Sequence, residues 1–234
     1  MSVPGALAFV GGQEWSQGCN FDLELLTGSE SDEVLVLPTA AAYEKPENVV
    51  LKAAQWFDAL GGRVQGLMVV DRSSAQDSGI AKIVRQARFV YLSSGSLLHL
   101  RSVLKGSAVF SALLQAWLDG ATIVGSGAGA MVLTDPMIDP RGGALSAGLG
   151  LLSGMAVIGH FGELEEDRHG EKLHRSIVLA PPDLPIVGIP NRTAVLRSPE
   201  GVWSTAGAGS VAVYLNAQIA DEGLSILEKV VHSA

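Results

Sequence analysis

The sequence predicts a three-layer α/β fold, in which a mostly parallel sheet is flanked by helices on both faces. Short apolar runs alternate with helical patterns through the first half of the chain, as βαβ units require. These runs are rich in Val, Ile, Leu and Phe, which is typical of strands buried on both faces. Hydrophobic residues make up 47% of the 234 positions and charged residues 17%, with a mean hydropathy of +0.31. That apolar content is enough for a single domain over residues 1–234.

Five strand candidates follow one another along the chain, and turns or helical patterns separate them. They are Ala6–Val10, Glu33–Leu37, Val64–Val70, Phe89–Leu92 and Thr122–Gly125. The helix candidates between them repeat apolar side chains every three or four residues, and they are Phe21–Leu26, Pro46–Leu60, Ile80–Ala87, Leu97–Leu104 and Val109–Leu118. Right-handed crossovers through these helices would keep the strands parallel.

The second half of the chain has a weaker pattern. Residues Thr134–Gly150 form a loop rich in glycine and proline, a short strand is expected near Ala156–Ile158, and the charged segment Glu163–Arg175 is predicted to be a surface helix. The segments IVGIP, TAVL, GVWST and SVAVYL in the C-terminal part predict short strands joined by tight turns. We expect them to form a β-rich C-terminal edge of the sheet.

Charge and cysteine content exclude several classes of function. The net charge is −8 and no basic run occurs, so we expect neither a nucleic-acid partner nor binding to an anionic membrane. The lone Cys19 cannot form an intrachain disulfide, and the N-terminal residues lack a signal-peptide pattern, which together favour a cytoplasmic location. The histidines show no metal-ligand spacing, so no metal site is expected.

The segment ATIVGSGAGAMVL at 121–133 is the most informative one for function. It reads as a buried strand, a cluster of small residues and the start of a helix, which is the outline of a nucleophile elbow. Gly125, Gly127 and Gly129 would let the turn close, and the first amides of the helix would face an anion. The same glycines match G-x-G-x-x-A, but no carboxylate follows at the required distance, so we expect no dinucleotide cofactor.

The elbow resembles that of the dipeptidase E and cyanophycinase family of serine peptidases, which reads Gly-Thr/Ser-Ser-Ala-Gly-Ala. The segment GSGAGA differs from it at Gly127, where the family has its serine nucleophile. Further similarity runs through VLVLPTAAA at 34–42, FVYLSSGSLLHL at 89–100, HF at 160–161 and GIPNRTAVL at 188–196. The resemblance implies the class I glutamine amidotransferase-like fold, which is related to the flavodoxin-like folds.

The resemblance also implies roles for individual positions. His160 corresponds to the family's general base. Ser94 and Gly95 stand where the family usually has a Gly-Gly pair that helps to form the oxyanion hole. Acidic substrates, which the resemblance implies, would need a basic group in the pocket.

The third member of the family's triad is less clear. In some relatives the acid follows the histidine, and Asn191 occupies that position here, so it is a vacant acid position. In others the acid lies between the nucleophile and the histidine, where Asp135 and Asp139 are available.

Glycine at position 127 has no oxygen with which to form a covalent intermediate. The leading hypothesis is therefore a non-catalytic relative that retains a pocket for a small molecule or short peptide. One alternative is an active hydrolase. In that case either the natural protein carries serine at 127 and the glycine was introduced, or another group such as Ser126 acts as the nucleophile. The hydroxyl of Ser126 is, however, expected to point away from His160. The other is acid/base chemistry by His160 with Asp135, Asp139 or Glu14 and no covalent intermediate.

The pocket is expected at the carboxyl ends of the strands, where the connecting loops converge. The predicted binding residues are Gly95, Ser96, Gly127, Ala128 and Thr39. Thr39 is expected either to contact a ligand or to cap the following turn, and Glu14 either to line the mouth of the pocket or to lie in an exposed loop. The resemblance allows a homodimer, since members of the family occur as monomers and as dimers.

Overall fold

The computed structural model describes residues 3–141, 143–162 and 174–233. Its strands are β1 Leu7–Val10, β2 Glu33–Leu37, β3 Arg63–Gly66, β4 Phe89–Leu92, β5 Thr122–Ser126, β6 Thr134–Asp135, β7 Met137–Ile138, β8 Leu145–Ser146, β9 Leu152–Ser153, β10 Ala156–Ile158, β11 Ile186–Gly188, β12 Thr193–Arg197, β13 Trp203–Gly207, β14 Ala212–Leu215, β15 Gln218–Ile219 and β16 His232–Ser233. Its helices are α1 Phe21–Gly28, α2 Pro46–Ala59, α3 Ser78–Gln86, α4 Leu97–Leu104, α5 Ala108–Leu118, α6 Ala128–Val132, α7 at residues 174–178 and α8 Leu227–Val230, with 3-10 turns at Thr39–Ala41, Ser74–Gln76 and Gly223–Ile226.

A seven-stranded sheet forms the centre of the molecule, in the order β13-β12-β1-β5-β4-β2-β3. Strands β1, β5, β4, β2 and β3 run parallel, whereas β12 is antiparallel to β1 and β13 is antiparallel to β12. The predicted fold class, a mostly parallel sheet flanked by helices, is confirmed. All five predicted parallel strands and the five helices among them are present, with small differences at their ends.

Two apolar layers cover the two faces of this sheet, as the alternation of side chains along a strand requires. Leu7 and Phe9 of β1 face the layer that α3, α4 and α5 contribute, and Ala8 and Val10 face the layer under α1 and α2. On that second face Phe57 of α2 packs edge-on against Phe89, with ring centroids 5.9 Å apart. Burial on both faces explains why the parallel strands are continuously apolar.

The strands from β11 to β15 divide between two sheets, and β16 pairs with β9 in a third sheet. Strands β12 and β13 extend the main sheet, whereas β11 and β14 join β10 and β15 in a four-stranded sheet of the order β10-β11-β14-β15. The loop predicted at Thr134–Gly150 contains the short strands β6, β7 and β8. The predicted surface helix Glu163–Arg175 lies largely outside the described residues. The third strand ends at Gly66, four residues before the predicted end at Val70.

The described residues contain no single helix that is both long and apolar enough to cross a lipid bilayer. Only α4 and α5 taken together pass that test of length and composition, and they are bent by 89° where they meet.

Candidate functional site

A tight turn joins β5 to α6 and confirms the strand, turn and helix that the sequence predicts here. Gly127 lies between the two elements with φ 48° and ψ −109°, a conformation that side-chain-bearing residues rarely adopt. The helix packs closely on the sheet, since a Cβ atom at Gly129 would lie 2.3 Å from the carbonyl oxygen of Leu92. Gly125 is equally crowded, because its Cβ would lie 2.5 Å from the carbonyl carbon of Gly129. The small residues are thus required by the geometry of the turn.

The direction in which a side chain would leave Gly127 defines the centre of the site. An ideal Cβ atom at this position lies 3.0 Å from Nε2 of His160 and 2.3 Å from Oγ of Ser94. A side chain at 127 would therefore point directly at the imidazole. The structure brings together Gly127, His160 and Ser94, three positions that are far apart in the sequence.

His160 follows β10 and is held on two sides. Its backbone N–H donates to the carbonyl of Gly11 at 2.7 Å, and its Nδ1 lies 2.7 Å from Oδ1 of Asn191, which is buried. When Asn191 Oδ1 accepts this hydrogen bond, Nδ1 carries the proton and Nε2 presents its lone pair to the elbow. A Cβ atom at Gly12 would lie 2.1 Å from Cε1 of His160, so glycine makes room for the ring. The position predicted as a vacant acid position thus holds a neutral hydrogen-bond partner of the histidine.

Glu14 is buried at the back of the site, and sequence patterns alone left its position open. Its carboxylate accepts the backbone N–H of Ser94 at Oε1 (2.9 Å) and the hydroxyl of Ser126 at Oε2 (2.8 Å). The loop after β1 turns inwards at Gln13 and Trp15, which both have positive φ values although neither is glycine. Glu14 thereby joins the ends of β1, β4 and β5.

The loop after β4 forms one wall of the site. Gly95 has φ 142°, and a Cβ atom there would lie 2.5 Å from the carbonyl oxygen of Ala40. The N–H of Ser96 donates to that same oxygen at 2.7 Å, and its Oγ accepts the N–H of His99 at 3.4 Å, so Ser96 caps α4. Thr39 is fully buried, makes no capping hydrogen bond, and its hydroxyl has no partner among the described residues.

The other catalytic candidates have described partners other than the imidazole. Ser126 is buried with its hydroxyl on Glu14, as its place on β5 led us to expect. The carboxylate of Asp135 accepts the N–H of Gly148 at 3.3 Å, and that of Asp139 pairs with Arg141 at 2.6 Å. No described hydrogen bond joins either carboxylate to His160. Among the described residues, no group of three His, Cys, Asp or Glu side chains could hold a metal ion.

Comparisons with known proteins agree with this geometry. The model of peptidase family S51 matches residues 7–204. A peptidase from an acI-B1 Actinobacterium has a similar structure, with a TM-score of 0.82, 24% identity and 93% of each chain covered. A peptidase E-like protein from Listeria monocytogenes EGD-e has a TM-score of 0.64 at 16% identity, with 91% of this chain and 98% of the other covered. No curated protein matches the sequence.

Proposed function

Because the chain belongs to peptidase family S51, we propose that it binds a short peptide or a small amide at the elbow without cleaving it by covalent serine catalysis. The observation that carries this proposal is Gly127, whose missing side chain would point at His160 Nε2 from 3.0 Å away. An acyl-enzyme intermediate needs a side-chain oxygen or sulfur at that point. Loss of the nucleophile from such a triad typically lowers kcat by about 10⁶-fold.

The hydrogen bonds and backbone geometry around the elbow support binding. His160 is held by Asn191, Glu14 fixes the wall that contains Ser94, and Gly95 has a conformation that few other residues tolerate. A hydroxyl and an imidazole nitrogen thus face one point. The hydroxyl is suited to donate to a carbonyl or a carboxylate, and Nε2, which carries the lone pair, is suited to accept an amide or ammonium N–H.

The proposal is tested by calorimetric titration of the protein with aspartyl and β-aspartyl dipeptides, followed by analysis of the mixtures for released amino acids. We expect saturable binding and no product for the natural sequence, and affinity at least about tenfold weaker for His160→Ala because a half-buried hydrogen-bonding group is lost. His174→Ala, at an exposed histidine, is the matched control and should bind as the natural sequence does. Absence of binding would contradict a retained pocket, and product release would contradict the lack of catalysis.

Hydrolysis by a substitute nucleophile is the second candidate function, and the position of Ser94 beside His160 favours it over the alternative based on Ser126. A turnover in the natural sequence that Ser94→Ala abolishes and His174→Ala leaves unchanged would replace the first proposal with this one.

A further inference from the structure

Ser94 occupies the space that a side chain at position 127 would need. From the ideal Cβ atom at 127, Oγ of Ser94 lies 2.3 Å away and Cβ of Ser94 lies 3.0 Å away. Non-bonded carbon atoms are most favourable at about 3.5–4.0 Å, so both contacts are repulsive. A side chain at 127 and the present side chain at 94 exclude each other.

Rotation of the Ser94 side chain would relieve only half of this conflict. A change of χ1 moves Oγ, but Cβ stays 3.0 Å from the same point unless the backbone shifts. The backbone is held by the hydrogen bond from the Ser94 N–H to Glu14 and by the hydrogen bond from the Ser96 N–H to the carbonyl of Ala40. The loop therefore cannot withdraw at low cost.

We infer that positions 94 and 127 form an exchange pair, which means that only one of the two can carry a side chain beside His160. In this protein Ser94 carries it. This inference rests on the proposed function, in which residue 127 provides no nucleophile. It adds Ser94 as a second residue that keeps a nucleophile from acting at 127. A serine restored at 127 alone would be forced out of line with His160 Nε2. A serine at 127 combined with glycine at 94 would lose both contacts with residue 94 and keep only the 3.0 Å approach of its Cβ to His160 Nε2.

A four-member cycle tests the exchange pair: the natural sequence, Ser94→Gly, Gly127→Ser and the double variant. Each is measured by thermal melting and by intact mass after exposure to a fluorophosphonate probe. In the labelling reaction, the Oγ–P bond forms as the P–F bond breaks, fluoride leaves, and the hydroxyl proton passes to His160 Nε2. The double variant carrying alanine instead of serine at 127 is the control, because it has the same bulk near the turn and no hydroxyl.

The expected result is strong coupling between the two positions. Gly127→Ser should melt more than about 5 °C below the natural sequence and label slowly, because the new side chain has no room. In the Ser94→Gly background, adding serine at 127 should lower the melting temperature much less than it does in the natural sequence. The double variant should also be labelled at least about tenfold faster than Gly127→Ser. Strain from the positive φ at 127 acts in both backgrounds and cancels in the cycle.

Three results would overturn the exchange pair: equal melting losses from Gly127→Ser in the two backgrounds, equal labelling of the single and double variants, or labelling of the alanine control at the rate of the double variant. If Gly127→Ser cannot be obtained folded, folding of the double variant supports the pair and failure of both contradicts it. Labelling of the natural sequence at Ser94 would instead overturn the proposed function, while the melting cycle would still report on the pair.

Discussion

Asp22 is a fully buried carboxyl group on α1, behind the sheet from the elbow. Its Oδ2 accepts the indole N–H of Trp56 at 2.9 Å, whereas its Oδ1 has no partner among the described residues. Burial raises the pKa of Asp22 from 3.8 to about 8, and the negative charge of Glu14 adds to this rise. The side chain therefore holds a proton in the folded protein at neutral pH, and it loses that proton on unfolding.

The stability of the protein should consequently fall as the pH rises from about 4 to about 8. Within this window the folded state binds a proton that the unfolded state has released, so the free energy of unfolding falls by up to about 1.4 kcal/mol per pH unit. Asp22→Asn imitates the protonated group and should flatten this slope. Urea denaturation at intervals between pH 5 and 8 measures it, with Asp58→Asn, an exposed site on α2, as control. Identical slopes for Asp22→Asn and the natural sequence would contradict the assignment.

Glu14 shows how one loop side chain holds several elements together. It follows β1, and its two carboxylate oxygens fix the Ser94 N–H after β4 and the Ser126 hydroxyl at the end of β5. Both donors lie at the back of the site, where water cannot easily replace a lost acceptor. Its burial could not be predicted from the sequence, because positive φ values at Gln13 and Trp15 bring it inside and neither residue type signals such a turn.

Replacement of Glu14 by alanine should destabilise the protein by about 1–3 kcal/mol for each donor that loses its partner. Glu14→Gln should cost much less, because its carbonyl can accept the Ser94 N–H while the Ser126 hydroxyl rotates to accept from the amide. Urea denaturation compares the two, with Glu24→Ala on the exposed side of α1 as control. If the alanine and glutamine variants are equally stable, the two hydrogen bonds do not tie these strands together.

The parallel strands could be predicted from the sequence with more success than the C-terminal ones. Strands such as β4 carry unbroken apolar runs between clear turn residues, and β4 has the predicted ends Phe89 and Leu92. Strands β11 and β12 are only a few residues apart and both apolar, yet they enter different sheets. Their partners are chosen by long-range packing, which short-range patterns do not contain.

At the scale of the whole molecule, the site lies where the seven-stranded main sheet meets the four-stranded second sheet. The main sheet supplies the elbow, Ser94 and Glu14 from the ends of adjacent strands β5, β4 and β1. His160 follows β10 in the second sheet, and Asn191 lies in the link from β11 to β12 that passes between the sheets. The sequence indicated both residues only by resemblance, and their contact depends on how the sheets meet.

This dependence predicts that crowding at the junction, away from the elbow, should disturb the site. A Cβ atom at Gly188 of β11 would lie 2.4 Å from the ring of Phe161, the residue after His160. That ring also packs on Tyr214 of β14, with centroids 6.1 Å apart, so its displacement would disturb packing on the second sheet next to His160. Gly188→Ala should therefore cost about 1–3 kcal/mol of stability and weaken dipeptide binding together with it.

Gly28→Ala is the matched control, because Gly28 has a helical neighbourhood and a Cβ atom there meets nothing within 4 Å. It should leave binding unchanged and should not lower the melting temperature, since alanine favours the helix. If Gly188→Ala binds dipeptides as well as Gly28→Ala does, the position of His160 is set by its own hydrogen bonds to Gly11 and Asn191. If only Gly188→Ala loses dipeptide binding, the second sheet positions His160 against the elbow that the main sheet supplies.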